Sequence, residues 1–457
     1  MKERSPIDRR HDFKEVNLGY SAQDAVQEAQ RCLQCKNRPC VQGCPVGVDI
    51  PDFIRAVADG RNDEAVRILK GKNTLPAVCG RVCPQEEQCE KHCILGVKGQ
   101  PVAVGYIERY VADWERANIS DSVGHISPDP SEPSVAVVGS GPAGLTCAGE
   151  LARMECNVTV FESLHAAGGV LRYGIPEFRL PKAILDYEMD NLKKQGVKIV
   201  TNVLVGRTKS VEDLFAEGFD AVFLGVGAGL PKFMGIPGEN LNNIYSANEF
   251  LVRVNLMNGY RFPEHDTPTP EGKRVVVIGG GNTAMDAART ALRLGAEEVT
   301  LIYRRSGQEM PARAEEVHHA EQEGVRFAFL TAPVTYRGDE RAFVREVECQ
   351  KMELGEPDGS GRRKPCPVPG SNFIIPIDMA VVAIGLSPNP LLPSLTPGLE
   401  THPWGDLKID DDFMTTQCGV FAGGDIVGGE TVIQAMGMGK KAAYAIQKYL
   451  YNKRLEC

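Results

Sequence analysis

Eight of the fourteen cysteines lie between Cys32 and Cys93, in two short arrays. The first runs Cys32, Cys35, Cys40 and Cys44, the last followed by Pro45. The second runs Cys79, Cys83, Cys89 and Cys93, with Pro84 after Cys83. Thiolates at such spacings converge on one compact centre, and a proline after a cysteine suits the loops that wrap iron–sulfur cubes. Structural zinc is the rival reading, but it uses paired C-x2-C units, and only Cys32 with Cys35 fits that spacing. Disulfides are disfavoured in a reducing compartment. Taken in chain order, the first four cysteines would hold one 4Fe–4S cluster and the second four another. A cysteine before proline often serves the other cluster instead, so the pairing stays open at this point.

Two further patterns suit nucleotides. The apolar run Val135–Val138 leads into Gly139, Ser140, Gly141, Pro142, Ala143 and Gly144; a helical pattern follows from Leu145, then a second strand ending in Glu162. Such glycines allow a tight turn, close approach to a pyrophosphate and close helix–strand packing, and the helix N-terminus favours the anion. Glu162 stands where a carboxylate accepts hydrogen bonds from ribose hydroxyls. The second unit follows Arg274–Ile278 and reads Gly279, Gly280, Gly281, Asn282, Thr283, Ala284; its second strand, from Val299, ends in Tyr303, Arg304 and Arg305. Arginines in place of an acid predict NADP(H) rather than NAD, because guanidinium forks match a 2′-phosphate. Arg313 is a further candidate for that phosphate.

The elements that must position these residues can be read from texture. Residues 1 to about 115 show helical spacing in Ala22–Cys32, Ile50–Val57 and Asn62–Leu69, with cysteines in the loops. Ser120–Ser134 reads as a linker. Beyond it, Val135–Val138, Val158–Phe161, Ala221–Gly225, Val275–Ile278, Val299–Tyr303 and Met379–Ile384 are short apolar strands alternating with helical patterns. A net charge of −9 argues against a nucleic-acid partner. No apolar run approaches the roughly 18 residues a membrane span needs. The polar start lacks the marks of a secretion signal, which predicts a cytoplasmic protein.

The carboxyl-terminal strand Gly419–Asp425 ends in Gly424-Asp425, and a helical pattern follows from about Thr431. With the two fingerprints, this resembles the two-dinucleotide-binding flavoproteins of the glutathione-reductase type. The resemblance implies that Gly424 and Asp425 hold the ribityl-phosphate region of FAD and that the Glu430–Gln434 turn points at the flavin. It also implies that the chain crosses between domains at Gly225–Ala228 and Ala383–Gly385. The expected architecture is therefore α/β: a helical two-cluster iron–sulfur domain over 1–125, a split FAD-binding domain over 130–250 and 375–457, and an inserted NADP(H)-binding domain over 251–374. Neither Cys147/Cys156 nor Cys349/Cys366 has the spacing of a redox disulfide beside a flavin. These four, with Cys418 and Cys457, read as inert thiols. His318 and His319 read as solvated, and Met436 and Met438 as helix packing.

The stretches Cys32-Leu33-Gln34-Cys35, Thr74–Pro84 and Gly437–Lys440 resemble the glutamate synthase small-subunit family. That family includes the large subunit of NADH-dependent ferredoxin:NADP oxidoreductase and the N-terminal half of dihydropyrimidine dehydrogenase. The resemblance implies crossed ligand sets. Cys32, Cys35, Cys40 and Cys93 would hold one 4Fe–4S cluster; Cys44, Cys83 and Cys89 would hold the other, with Glu108 as fourth ligand and Cys79 spare. It implies an oligomeric FAD and iron–sulfur NADPH oxidoreductase exchanging electrons with a partner protein. The partner is expected to be a ferredoxin:NADP small subunit or ferredoxin, with possible electron bifurcation, or alternatively a glutamate synthase large subunit. An electron relay with an idle nucleotide site is the remaining alternative. Hydride transfer to a flavin needs no side-chain acid or base, so no catalytic residue is expected.

Overall fold

The computed structural model describes residues 2–119, 129–359, 361–429 and 431–456. Most of the expected linker, Glu430 and Cys457 lie outside these residues. The amino-terminal layer is helical, with helices Ala22–Gln30, Ile50–Ala58, Asn62–Lys70, Pro76–Val82 and Val104–Asn118. The first begins at a capping box, in which Ser21 and Asp24 satisfy each other's backbone N–H groups. Helices Pro76–Val82 and Val104–Asn118 approach so closely that a Cβ on Gly80 would lie 2.6 Å from the backbone nitrogen of Arg109.

Beyond the linker stand two parallel sheets. The first has the order Val420–Ala422, Ala221–Leu224, Ser134–Val138, Asn157–Phe161, Lys198–Val200. The second runs Ile244–Ser246, Met379–Val382, Arg274–Ile278, Glu298–Tyr303, Arg326–Phe329. Central strands such as Ala221–Leu224 and Met379–Val382 are buried along their whole length, as parallel strands covered on both faces must be. The second sheet therefore starts before residue 251 and ends after 374, the limits expected for that domain. The two strands outside those limits, Ile244–Ser246 and Met379–Val382, carry no fingerprint of their own. The crossings themselves lie where Ala228–Pro231 pairs antiparallel with Leu386–Pro388. An antiparallel meander of Thr331–Gly338, Val344–Pro357, Arg363–Pro367 and Phe373–Pro376 is appended to the second sheet.

The helical layer and the first sheet share one apolar core, running from Phe53 and Leu75 through Leu145 and Phe223 to Ile433 and Leu450. The carboxyl-terminal helix Val432–Glu456 joins them. A Cβ on Gly439 would stand 2.2 Å from the carbonyl oxygen of Ala143, and one on Gly437 would stand 2.8 Å from that of Pro45. Only hydrogen at these two positions lets the helix touch both layers.

Residues 2–17 reach across to the second α/β unit. Phe13 stacks on Tyr260 at 4.3 Å, and the fully buried Arg9 donates to Glu323 at 3.0 Å and Gln322 at 2.7 Å. Glu323 also accepts from Arg289 and Arg293. Burial pushes its carboxyl up, but Arg289 and Arg293 outweigh this and hold it well below the usual carboxylate range. Its contribution to stability is therefore present at neutral pH and lost as pH falls through and below that range. His319, expected to be solvated, is buried here on helix Ala314–Glu323, 3.1 Å from Glu3, and burial pushes its imidazole below its ordinary value. His318, one residue away on the same helix, is exposed as expected. Replacing Glu323 by Gln leaves three arginines without their shared counter-charge. It should cost about 3–5 kcal/mol, read from denaturant midpoints at unchanged slope; a loss below about 1 kcal/mol would mean the pairing behaves as a surface pair.

Candidate functional site

Between the two sheets lies a cavity of about 1400 Å³. Pockets for one small molecule run to roughly 1,000 Å³, so this one has room for more than a single mononucleotide. Both fingerprints open onto it. Gly139, Gly141, Glu162, Gly424 and Asp425 line one side; Gly279, Gly281, Asn282, Thr283, Arg304 and Arg305 line the other. Gly141 and Gly281 cap the N-termini of helices Pro142–Arg153 and Asn282–Arg293, and a Cβ at either would meet nothing within 4 Å. That leaves backbone N–H groups and the helix dipole free to face an anion.

The other glycines serve the turns. Gly139 has a φ of 97°, and a Cβ there would lie 2.5 Å from the carbonyl oxygen of Gly225; Gly279 repeats this against Ala383 at 2.3 Å. Gly144 and Ala284 do not reach the cavity. A Cβ on Gly144 would meet the Gly139 carbonyl oxygen at 1.9 Å, and Ala284 is fully buried behind the loop. Glu162 accepts from the backbone N–H groups of Ser140 at 3.0 Å and Leu164 at 2.8 Å, which fixes a carboxylate at the strand end. Asp425 follows Gly424, whose φ is 83°, and burial pushes its carboxyl up to about 6.

On the opposite wall the two adjacent arginines part. Arg304 is exposed, whereas Arg305 is buried and donates to the Arg363 carbonyl and the Asp358 carboxylate. Arg362, which sequence reasoning missed, also lines the wall. Arg313 does not. Its guanidinium points into the helical layer, donating to Glu86 at 3.1 Å, Gln85 at 3.2 Å and the Arg81 carbonyl at 3.3 Å. It joins domains rather than contacting a phosphate.

All the described cysteines are free. Cys32, Cys35, Cys40 and Cys93 gather near the surface, each half-buried. Burial raises the Cys32 thiol, with Cys35 and Cys93 adding to it; burial and then Cys32 and Cys93 push Cys40 up to about 11. Cys44, Cys79, Cys83 and Cys89 instead line a second, interior cavity together with Glu108, Asn73, Gln85 and Ile433. Cys44 and Cys93 have thus exchanged arrays relative to chain order. The interleaving depends on Gly43, where a Cβ would come within 2.9 Å of the Gln88 carbonyl oxygen, so the two arrays can lie against each other.

Glu108 is 8% exposed, and burial pushes its carboxyl up to about 8, opposed by a 2.7 Å hydrogen bond donated by the Asn73 amide. A buried carboxyl among converging thiols carries a large desolvation cost unless a cation or proton satisfies it. Thiols and one carboxyl lining one interior cavity form a donor set that fits an iron–sulfur cluster. Cys79 sits deeper, its thiol 3.8 Å from the Asn73 Oδ1 it faces and 3.5 Å from the Met436 Sδ. Asn73 and Gln85 were not legible as site residues; a polar residue just before the Leu75-Pro76 helix start reads as an ordinary turn.

Residues 9–120 match the family model described as dihydropyrimidine dehydrogenase domain II, 4Fe-4S cluster. Residues 94–216 and 133–439 match pyridine nucleotide-disulphide oxidoreductase. The chain is 40% identical to the glutamate synthase [NADPH] small chain of Halomonas elongata, covering 97% of this chain and 94% of that one. It is 38% identical to the Escherichia coli counterpart over 97% and 95%. It is also 41% identical to the NADP(+)-dependent formate dehydrogenase subunit beta of Moorella thermoacetica, covering 90% of this chain but 60% of that longer protein. Among solved structures, FprA of Mycobacterium tuberculosis in complex with NADPH shares the fold, with a TM-score of 0.59 at 22% identity over 71% of this chain and 86% of that one. Matched end to end by such relatives, with both nucleotide fingerprints and the gathered thiols in place, the chain belongs to the glutamate synthase small-chain family of FAD- and 4Fe–4S-dependent NADPH oxidoreductases.

Proposed function

We propose that this chain is the electron-transfer subunit of a larger complex, passing electrons between NADP(H) and a partner protein, of the ferredoxin:NADP oxidoreductase large-subunit type. One observation carries the reading: a single helical turn borders both the nucleotide cavity and the interior thiol cavity. Thr431, Val432 and Ala435 line the nucleotide cavity, while Ile433, on the same helical turn, lines the interior thiol cavity. The other set, Cys32, Cys35, Cys40 and Cys93, is half-buried and reaches the surface. When bound, the cofactors supply hydride and single-electron chemistry; the chain supplies position and environment.

In this reading Cys44, Cys83, Cys89 and Glu108 hold the interior cluster, and Cys32, Cys35, Cys40 and Cys93 the outer one. Cys79 stays a thiol. Glu162 takes the ribose hydroxyls of FAD, the turn at Gly139 and Gly141 takes its pyrophosphate, and Asp425 with Gly424 borders the ribityl region. The loop of Gly279, Gly281, Asn282 and Thr283 takes the NADP(H) pyrophosphate, with its 2′-phosphate at the end of strand Glu298–Tyr303. The free cysteines agree with a reducing compartment such as the cytoplasm. No helix among the described residues is long and apolar enough to cross a membrane.

A glutamate synthase large subunit as partner is the second reading, supported by the end-to-end match to small chains of that enzyme. The protein that co-purifies with the chain decides between them: a glutamine-hydrolysing synthase subunit favours the second reading, and a smaller flavin or ferredoxin-type subunit the first.

Three outcomes are expected. Purified anaerobically with its cofactors, the protein should have its flavin bleached by NADPH at concentrations about 10- to 100-fold below those needed with NADH, the equivalent of one or two charged hydrogen bonds to the 2′-phosphate; no bleaching with either nucleotide would refute the enzyme reading. A Cys40→Ser, Cys93→Ser double variant should lose one cluster and keep the other, as counted by iron content and electron paramagnetic resonance, because both residues serve one site. Loss of both clusters would restore the chain-order pairing. Glu108→Ala should change the spectrum or potential of a single cluster while leaving the flavin intact, since an oxygen ligand is harder than thiolate; identical spectra would exclude Glu108 as a ligand.

A further inference from the structure

The interior cavity holds one more donor than a single cube takes. Cys44, Cys79, Cys83, Cys89 and Glu108 all line it, and a 4Fe–4S cluster has four protein ligands. Between Cys79 and Glu108, thiolate is the softer donor and the one that iron–sulfur clusters ordinarily select. A carboxylate completes the set only if something favours it over the buried thiol.

Asn73 touches both candidates. Its amide NH2 donates to Glu108 Oε1 at 2.7 Å, and its Oδ1 faces the Cys79 thiol at 3.8 Å. The amide cannot be turned over. The backbone N–H of Leu75 donates to the same Oδ1 at 3.0 Å, and an NH2 group in its place would offer that N–H no acceptor. Asn73 is 1% exposed and Leu75 is fully buried, so water does not replace the bond. The hydrogen bond that shapes the turn before helix Pro76–Val82 therefore also fixes which end of the amide each donor meets.

The two ends act in opposite senses. Iron binds both side chains as anions. The NH2 group stabilises a carboxylate, whereas the amide oxygen accepts from a neutral S–H and repels a thiolate. Met436 Sδ, 3.5 Å from the Cys79 sulfur, supplies no donor either. We propose that Asn73 is a positioning residue that selects the oxygen ligand, presenting Glu108 to the interior cluster and holding Cys79 as a reserve ligand. This rests on the reading of Glu108 as a ligand given above and adds the reason a softer donor in the same cavity is passed over. When Glu108 is removed, Cys79 fills the free iron position. Its S–H proton leaves to solvent as the Fe–S bond forms, and no electron is transferred.

The test uses the anaerobically purified holoprotein, with iron content and electron paramagnetic resonance of the reduced clusters as readouts. Cys79→Ala alone should leave both clusters unchanged. Glu108→Ala should keep its full iron with one cluster signal altered, whereas Glu108→Ala combined with Cys79→Ala should lose about half the iron, one cube of two. Asn73→Ser and Asn73→Thr keep a hydroxyl oxygen for the Leu75 N–H but carry no amide toward Glu108 or Cys79. Whichever of them folds should show the Glu108→Ala signal, and adding Cys79→Ala should abolish that signal. Equal iron in Glu108→Ala with and without Cys79, or a changed cluster in Cys79→Ala alone, overturns the reserve role. A native signal in the Asn73 variants, or an altered one indifferent to Cys79, overturns selection by the amide. If Glu108→Ala leaves every cluster signal native, it is the ligand reading of Glu108 that fails. If it alters one signal and Cys79 makes no difference, only this proposal fails.

Discussion

The molecule depends on how closely the carboxyl-terminal helix can approach two backbones at once. Gly437 against Pro45 and Gly439 against Ala143 leave no room for even a methyl group. A bulkier residue at either position would lift the helix by an ångström or more, in an interior packed to the density of a crystal. The helix begins at the nucleotide cavity, and its first turn also walls the interior thiol cavity. The spacing of the two cavities is therefore set by two hydrogens.

The opposite face of the helical layer is held by charge rather than by close backbone contact. Arg9, Arg289 and Arg293 converge on Glu323, Arg179 pairs with Asp286, and Arg313 with Glu86. Buried charges are tolerable only when each has its partner, so such a junction permits few relative positions of the domains it joins. The first sheet meets the helical layer through apolar side chains, whereas the second unit meets it through ion pairs such as Arg313–Glu86 and Arg9–Glu323. The difference makes one contact adhesive and the other specific.

Much of this was legible in the residues. Both fingerprints, their strands and the helical layer follow from periodicity and glycine placement, and they lie where those patterns put them. What was not legible shares one cause. Pattern reading treats charged residues as solvent-facing or ligand-facing, and here several are neither. Arg313 and His319 are buried in the domain junction, and Arg305 holds a hairpin. Strands Ile244–Ser246 and Met379–Val382 of the second sheet are too short to announce which sheet they enter. The pairing of the thiols was likewise invisible to spacing alone, because it depends on Gly43 letting two segments interleave in space.

The shared core has a consequence for how the protein is made. Cys83, Cys89 and Glu108 are each less than a tenth exposed, inside an apolar core that also contains the first sheet and the carboxyl-terminal helix. That helix packs over the core, so the pocket is closed only once the helix has docked. The outer thiols, half-exposed, face no such deadline. A group held in the interior pocket would have to be in place before the helix packs, whereas the outer thiols stay reachable afterwards.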